Sequence, residues 1–205
     1  MASPHRRWVL ASGNAGKLAE MRSLLEVLDI ELVSQSEFDV PDAEETGIGF
    51  VDNALIKARH AAALTGLPAI ADDSGLAVDA LDGAPGVYSA RYAGSHGDDA
   101  ANNAKLVAAL EGLAPARRGA AFHCCLVATR SASDPVPVIA HGVWRGRVLE
   151  AARGEHGFGY DPLFWVEEEN ASAAEMGAER KNAISHRARA MHQLVEQLRA
   201  DEHDG

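Results

Sequence analysis

Residues 67–75 read Leu67-Pro68-Ala69-Ile70-Ala71-Asp72-Asp73-Ser74-Gly75, an apolar run followed by two carboxylates and a serine. Such a run predicts a buried strand that ends where the carboxylates begin. Open α/β sheets bind ligands at the carboxyl ends of their strands. Adjacent carboxylates repel each other unless a proton or a cation lies between them, and Mg²⁺ is the usual hard cation held by such oxygens. The alternative is an acidic turn, because Asp, Ser and Gly are common turn residues.

The composition indicates a globular chain with an acidic balance. The 205 residues include 19 Lys and Arg against 30 Asp and Glu, which gives a formal net charge of −11. This balance disfavours nucleic acid or an anionic membrane as the main partner, while it leaves room for a local basic pocket that binds phosphates. No stretch approaches the ~20 apolar residues of a membrane span. Cys124 and Cys125 are adjacent in an apolar run, so we expect buried thiols in a reducing, cytoplasmic location.

A candidate phosphate site follows the first predicted strand, residues 8–11. The loop Ser12-Gly13-Asn14-Ala15-Gly16-Lys17 leads into a helix whose apolar residues recur at helical spacing from Leu18 onwards. A glycine-containing loop at a helix start presents free backbone N–H groups and the positive end of the helix dipole, which suit phosphate. The spacing is not that of a P-loop. The alternative is therefore an ordinary capped turn, with Ser12 or Asn14 as the cap.

An acidic loop that contains Glu44 and Glu45 precedes the next predicted helix, which begins near Phe50. Asn53 and Lys57 are four residues apart, so they share one face of this helix, away from its alanine-rich face. The carboxylates could serve only to complement the helix dipole, and Lys57 could be a solvated surface lysine. The residues alone leave both interpretations open.

The remaining elements are predicted from periodicity and turn residues. Residues 30–34 and 163–166 predict strands, and residues 98–113 predict a helix. Residues 120–129 and 136–148 predict the two strands of a hairpin.

Two clusters lie towards the carboxyl terminus. The loop Gly157-Phe158-Gly159-Tyr160-Asp161-Pro162 has closely spaced glycines, which let a backbone approach a ligand, and its two aromatic rings are candidates to stack on a flat ring. The alternative is a tight turn with the rings packed inward. Ser185 is a natural helix cap and places His186 and Arg187 in the first helical turn. Positive charge there opposes the helix dipole, which favours a role in binding an anion or a carbonyl oxygen.

These motifs together resemble the inosine/xanthosine triphosphate pyrophosphatases, enzymes that remove aberrant purine nucleotides. The resemblance covers roughly residues 8–199 and rests on six motifs in one order. They are Ser12-Gly13-Asn14-Ala15-Gly16-Lys17; Glu45-Thr46-Gly47 with Phe50; Asn53-Ala54 with Lys57-Ala58; Ala71-Asp72-Asp73-Ser74-Gly75-Leu76 through Gly83-Ala84-Pro85-Gly86-Val87-Tyr88-Ser89-Ala90-Arg91-Tyr92; Gly157-Phe158-Gly159-Tyr160-Asp161-Pro162; and Lys181 with Ser185-His186-Arg187.

The resemblance implies an α/β fold in which a mixed central sheet is flanked by helices and two lobes surround a nucleotide-binding cleft. It implies one domain over residues 1–205, and we expect residues 1–7 and 201–205 to be disordered tails. The implied activity is Mg²⁺-dependent hydrolysis of ITP, dITP or XTP to the monophosphate and pyrophosphate by a cytoplasmic homodimer. The alternatives are a nucleotide-binding regulatory module without catalysis and a phosphohydrolase for other nucleoside triphosphates.

The resemblance also implies residue roles. Asp73 would accept a proton from the attacking water and bind the metal together with Glu45, with Glu44 as the nearby alternative ligand and Asp72 in a supporting role. The residues implied for the phosphates are Ser12, Gly13, Asn14, Ala15, Gly16, Lys17 and Lys57. The residues implied for the rest of the nucleotide, the later ones around the base, are Ser74, Phe158, Gly159, Tyr160, Asp161, Lys181, His186 and Arg187.

Overall fold

The strands form a mixed sheet in the computed structural model, which describes residues 6–12 and 15–203. Within these residues the strands are β1 (Arg6–Leu10), β2 (Ile30–Ser34), β3 (Ala69–Val78), β4 (Gly119–Thr129), β5 (Val138–Val148), β6 (Phe164–Val166) and β7 (Ala171–Ser172). Their order across the sheet is β2-β1-β3-β4-β5-β6-β7. β1 pairs in parallel with β2 and β3, whereas β6 pairs antiparallel with β5 and β7.

Helices flank the sheet and complete the predicted α/β class, which is confirmed. The α-helices are α1 (Ala15–Leu25), α2 (Phe50–Thr65), α3 (Asp99–Ala109), α4 (Ala178–Ile184) and α5 (His186–His203). Among the residues that the structure describes, no helix is long and apolar enough to cross a membrane.

Both predicted tails are too long. β1 begins at Arg6, and Arg6 and Arg7 pair in register with Ile30 and Glu31 of β2. At the other end, α5 continues to His203. Residues 6, 7 and 201–203 therefore belong to regular elements, because strand pairing and helix continuation extend them beyond the recognisable motifs.

β3 does not end at the carboxylates, as the sequence predicted. The strand runs from Ala69 through Asp72 and Asp73 to Val78, and both carboxylates are buried. Successive strand side chains point to opposite faces, so the two carboxylates are directed apart. Each is paired with a lysine from a different helix, which offsets the cost of burying its charge.

The chain divides into two compact units. The first comprises residues 1–73, 125–142 and 189–205, and the second comprises residues 74–124 and 143–188.

The core of the first unit packs α2 against the strands. The buried apolar face of α2 consists of small residues, Ala54, Ala58, Ala61 and Ala62. These small side chains let the helix backbone lie close to β1, which α2 contacts. Cys125 belongs to the same apolar cluster. Cys124 and Cys125 are both buried thiols outside any disulfide, as predicted.

The core of the second unit is aromatic. The ring of Phe122 lies 4.6 Å from that of Phe164, and the ring of Trp144 lies 5.2 Å from that of Phe164, between centroids. Leu106 of α3 and Leu110, which caps the end of this helix, belong to the same buried cluster. Such ring pairs add to the stability gained from apolar burial.

Candidate active site

Lys57 holds two acidic side chains together in the first unit. Its ammonium Nζ, on α2, donates to Glu45 Oε1 and to Asp73 Oδ1, each at 2.9 Å. The three side chains keep exposed fractions of 16% for Lys57, 27% for Glu45 and 11% for Asp73. A loop, a helix and a strand thus bring two carboxylates to one cation position that solvent can reach.

Asn53 fixes the orientation of this cluster from the previous turn of α2. Its Nδ2 donates to Asp73 Oδ2 at 3.3 Å, and its Oδ1 accepts from the Gly47 N–H at 2.8 Å. Because only the amide oxygen can accept a hydrogen bond, the contact with Gly47 turns the NH₂ group towards Asp73. Gly47 is required for this approach, since a Cβ there would lie 2.7 Å from Asn53 Oδ1. The loop after Glu45 is therefore tied to Asp73.

For Asp73 and for Lys57, burial and the neighbouring opposite charge shift the pKa in opposite directions. Burial raises the pKa of Asp73 above its ordinary value, and the charge of Lys57 offsets only part of that effect. Burial alone would lower the pKa of Lys57, but the carboxylates of Asp73 and Asp72 outweigh it and raise that pKa. The lysine thus stays charged, and Asp73 has a stronger affinity for a proton than an ordinary aspartate.

Lys17 pairs with the other carboxylate of β3. Its Nζ donates to both oxygens of Asp72, at 2.9 and 2.8 Å, and the Asp72 side chain is 1% exposed. The side chain of Asp72 leaves β3 on the face opposite to that of Asp73. Asp72 is the counter-ion of Lys17, and its expected supporting role at the metal stays a prediction.

The structure describes only part of the predicted phosphate loop. The carbonyl of Ser12 accepts from Ser34 Oγ at 3.1 Å. Ala15 and Gly16 begin α1, and Lys17 follows in its first turn. Gly13 and Asn14 lie outside the described residues, and so does the predicted cap at Asn14. In the acidic loop, Glu44 is exposed, whereas Glu45 is half-buried.

The predicted aromatic loop of the second unit is organised by Asp161. This buried carboxylate accepts from the Phe158 N–H at 2.8 Å and pairs with Lys181. The Lys181 ammonium also lies 4.9 Å from the centroid of the Phe158 ring. Phe158 is 64% exposed, so one face of a ring held beside a cation is available to a ligand.

Tyr160 does not present its ring to a ligand. The ring is buried in the aromatic core, and its hydroxyl donates to the Ser89 carbonyl at 2.9 Å. Burial also raises the pKa of the phenol above its ordinary value. The stacking role expected of Tyr160 is therefore wrong, and the alternative of an inward-packed ring is correct for this residue. Gly159, next to it, is anchored to α3: its N–H donates to Asp99 Oδ2 at 2.7 Å, and its carbonyl accepts from Asn103 Nδ2 at 2.8 Å.

His186 and Arg187 lie in the first turn of α5, as predicted, and both side chains are buried. The hydroxyl of Ser185 accepts from the Ala188 N–H at 3.3 Å, which is the predicted cap. The imidazole of His186 stacks on the ring of Phe122, with centroids 4.9 Å apart and planes inclined by 12°. No local pattern predicts this long-range stack, whereas the four-residue spacing of Asn53 and Lys57 did indicate a shared face.

Ser74 follows Asp73 in β3 and is half-buried at the beginning of the second unit. The predicted residues that the structure describes are divided between the two units. The first unit holds Lys17, Glu45, Lys57 and Asp73, and the second holds Ser74, Phe158, Gly159, Tyr160, Asp161, Lys181, His186 and Arg187.

The chain has extensive similarity to known proteins. The Ham1 family model matches residues 8–197. The chain is 58% identical over 190 residues to a dITP/XTP pyrophosphatase of Pseudomonas syringae, over 93% of this chain and 95% of that protein. It is 53% identical over 193 residues to a dITP/XTP pyrophosphatase of Vibrio cholerae, over 94% and 96% of the two chains. A solved HAM1 protein from Coxiella burnetii is 52% identical, with a TM-score of 0.91 over 95% of this chain and 99% of that one.

Proposed function

The chain belongs to the Ham1 family, and from this premise we propose that it hydrolyses non-standard purine nucleoside triphosphates, ITP, dITP and XTP, to the monophosphate and pyrophosphate. The observation that carries the proposal is the convergence of Glu45 and Asp73 on the ammonium of Lys57. Phosphoryl transfer depends mainly on positioning and on neutralisation of charge, and such a cluster can supply both.

The carboxylates of this cluster fit a magnesium ion. Among residues 6–12 and 15–203, no group of three or more His, Cys, Asp or Glu side chains is arranged to hold a metal. Mg²⁺ in phosphate-binding enzymes, however, uses one or two protein carboxylates and takes its other ligands from water and phosphates. Glu45 and Asp73 form such a pair of hard oxygen donors, and their contact with Lys57 favours Glu45 over the exposed Glu44. When bound there, Mg²⁺ would neutralise phosphate charge and lower the pKa of a bound water.

The protein side chains supply binding and proton transfer. Lys57 and Lys17, with the backbone of residues 12–16, bind the phosphates through charge and N–H groups. Asp73 accepts the proton of the attacking water, a role supported by its place beside Lys57 and by the Asn53 hydrogen bond that orients it. Asp73 is therefore proposed both as a metal ligand and as the general base.

The second unit supplies base recognition. Phe158 stacks on the purine, and Lys181 and Asp161 hold the loop that presents this ring. Gly159 and Tyr160 anchor the loop through Asp99 and Ser89, and Ser74 contributes to nucleotide binding. His186 and Arg187 donate to the 6-oxo group of inosine or xanthosine. Adenine carries an amine at that position and would leave a buried donor unpaired, at a cost of about 1–3 kcal/mol.

The expected homodimer and the cytoplasmic location remain part of the proposal. The two buried free cysteines support a reducing compartment. The family resemblance alone supports the homodimer.

A product assay tests the proposed activity. The purified chain is incubated with Mg²⁺ and, separately, with ITP, XTP, GTP and ATP, and the products are separated and quantified. We expect monophosphate and pyrophosphate, formed faster from ITP and XTP than from ATP. Release of orthophosphate with IDP from ITP would contradict the proposal.

A further inference from the structure

We propose that Lys57 is an internal counter-ion that competes with the metal for Glu45 and Asp73 and transfers to the triphosphate when the metal binds. The inference rests on the proposed function, because it takes these two carboxylates as the metal ligands. Lys57 then has two states. Its ammonium pairs with the two carboxylates in the free protein and with the phosphates in the complex.

The ammonium occupies one oxygen of each carboxylate. It lies 2.9 Å from Glu45 Oε1 and 2.9 Å from Asp73 Oδ1, at the position where these two oxygens converge. Mg²⁺ binds oxygen at about 2.0–2.1 Å and requires a well-defined set of ligands. Two cations held by the same pair of oxygens would repel each other in a partly buried site. A metal that takes Glu45 Oε1 and Asp73 Oδ1 as ligands therefore displaces Lys57.

The cluster is built so that Lys57 can leave without stranding a charge. Asp73 keeps its hydrogen bond from Asn53, and both carboxylates gain the metal as a new partner. Lys57 is 16% exposed and has a flexible four-carbon stem, so its ammonium can swing towards a triphosphate.

Lys17 provides the contrasting case. It binds both oxygens of Asp72, whose side chain is 1% exposed. Lys17 thus contacts both oxygens of one buried carboxylate, whereas Lys57 contacts one oxygen of each of two carboxylates. In the proposed exchange, Lys17 stays in place and Lys57 moves.

The exchange couples the metal to the substrate. Without a triphosphate, the metal must displace Lys57 into water, which weakens metal binding. With a triphosphate present, the released ammonium gains an anionic partner, so metal and triphosphate bind cooperatively. The free protein then holds the metal weakly until a substrate arrives.

Metal binding without nucleotide tests the inference. Free Mn²⁺ is measured by electron paramagnetic resonance during titration of the wild-type chain, Lys57→Met and the matched control Lys17→Met. We expect the Kd for Mn²⁺ to fall about tenfold in Lys57→Met and by less than about threefold in Lys17→Met, since only the first variant removes a direct competitor. Equal or weaker binding by Lys57→Met, or an equal gain in Lys17→Met, would overturn the exchange.

The variant Asp73→Asn separates this inference from the proposed function. If Asp73→Asn binds Mn²⁺ as the wild type does, the proposed metal site is wrong. If Asp73→Asn loses Mn²⁺ while Lys57→Met gains no affinity, the metal site stands and the exchange alone fails.

A measurement on the wild-type chain covers the case in which Lys57→Met does not fold. The acylation rate of individual lysines is followed by mass spectrometry with and without saturating Mn²⁺, in the absence of nucleotide. We expect acylation of Lys57 to accelerate when Mn²⁺ is added and that of Lys17 to stay constant. A Lys57 rate that does not increase with Mn²⁺ would contradict its release.

Discussion

At the scale of single residues, Asn53 shows how one uncharged side chain can set the geometry of a charged cluster. Its amide accepts from the Gly47 N–H and donates to Asp73, so its orientation is defined by both neighbours. A carboxylate at the same position could still accept from Gly47 but could not donate to Asp73.

Asn53→Asp is therefore expected to impair both folding and turnover. The new carboxylate would face Asp73, and the lost hydrogen bond at a buried site would lower the free energy of unfolding by about 1–3 kcal/mol. The measurements are urea unfolding and kcat with ITP. Asn182→Asp, on the exposed surface of α4, is the matched control. Equal kcat values in Asn53→Asp and the wild type would remove Asn53 from the positioning of Asp73.

Arg187 is the residue that tests base recognition. It is buried in the first turn of α5, where a positive charge opposes the helix dipole. We expect Arg187→Ala to raise KM for ITP more than KM for ATP, because the lost donor is proposed to contact the 6-oxo group. Steady-state kinetics with both substrates measure the difference, and Arg189→Ala, at an exposed position of the same helix, is the control. A proportional rise for both substrates would argue against a base contact.

At the scale of elements, β3 carries the two adjacent buried carboxylates that pair with lysines of the first unit. It continues through two adjacent carboxylates because each side chain meets a lysine on its own face: Asp72 meets Lys17 of α1, and Asp73 meets Lys57 of α2. One strand therefore contacts both proposed phosphate-binding lysines. Lys57 is proposed to move when the metal binds, whereas Lys17 is proposed to stay in place.

Asp72→Asn is expected to act mainly on stability. Removing one partner of a buried ion pair leaves the other charge uncompensated, and we expect the free energy of unfolding to fall by about 2 kcal/mol, less than for a fully buried pair because Lys17 keeps a quarter of its side chain exposed. Urea unfolding measures the change, with Glu169→Gln, a partner of Arg180 in an exposed pair, as the control. A stability loss no larger than that of the control would show that the Lys17–Asp72 pair is not a structural contact.

Element positions were largely predictable from the sequence because they depend on local periodicity and on turn residues. The end of β3 was not predictable, because the lysines that neutralise its carboxylates lie far away in the chain, at positions 17 and 57. The sequence left the inward packing of Tyr160 open for the same reason, since its partner Ser89 is 71 residues away. The stack of His186 on Phe122 likewise joins residues that no local pattern connects.

At the scale of the whole molecule, the proposed roles divide between the two compact units. The lysines and carboxylates assigned to phosphates and metal belong to the first unit, and the residues assigned to the base belong to the second. Phosphates are common to all nucleoside triphosphates, whereas the base differs. Variants in the first unit should therefore reduce turnover of every substrate alike, and variants in the second should change the ratio between substrates.

The central claim is that Asp73 performs the chemistry, and Asp73→Asn tests it most directly. The amide keeps the shape of the side chain but cannot accept the proton of a water. Turnover of ITP with Mg²⁺ and equilibrium binding of ITP with Ca²⁺ are measured on the folded variant. We expect kcat to fall by about 100-fold or more, as is typical for loss of a general base, while the variant still binds ITP. A kcat equal to that of the wild type would contradict it.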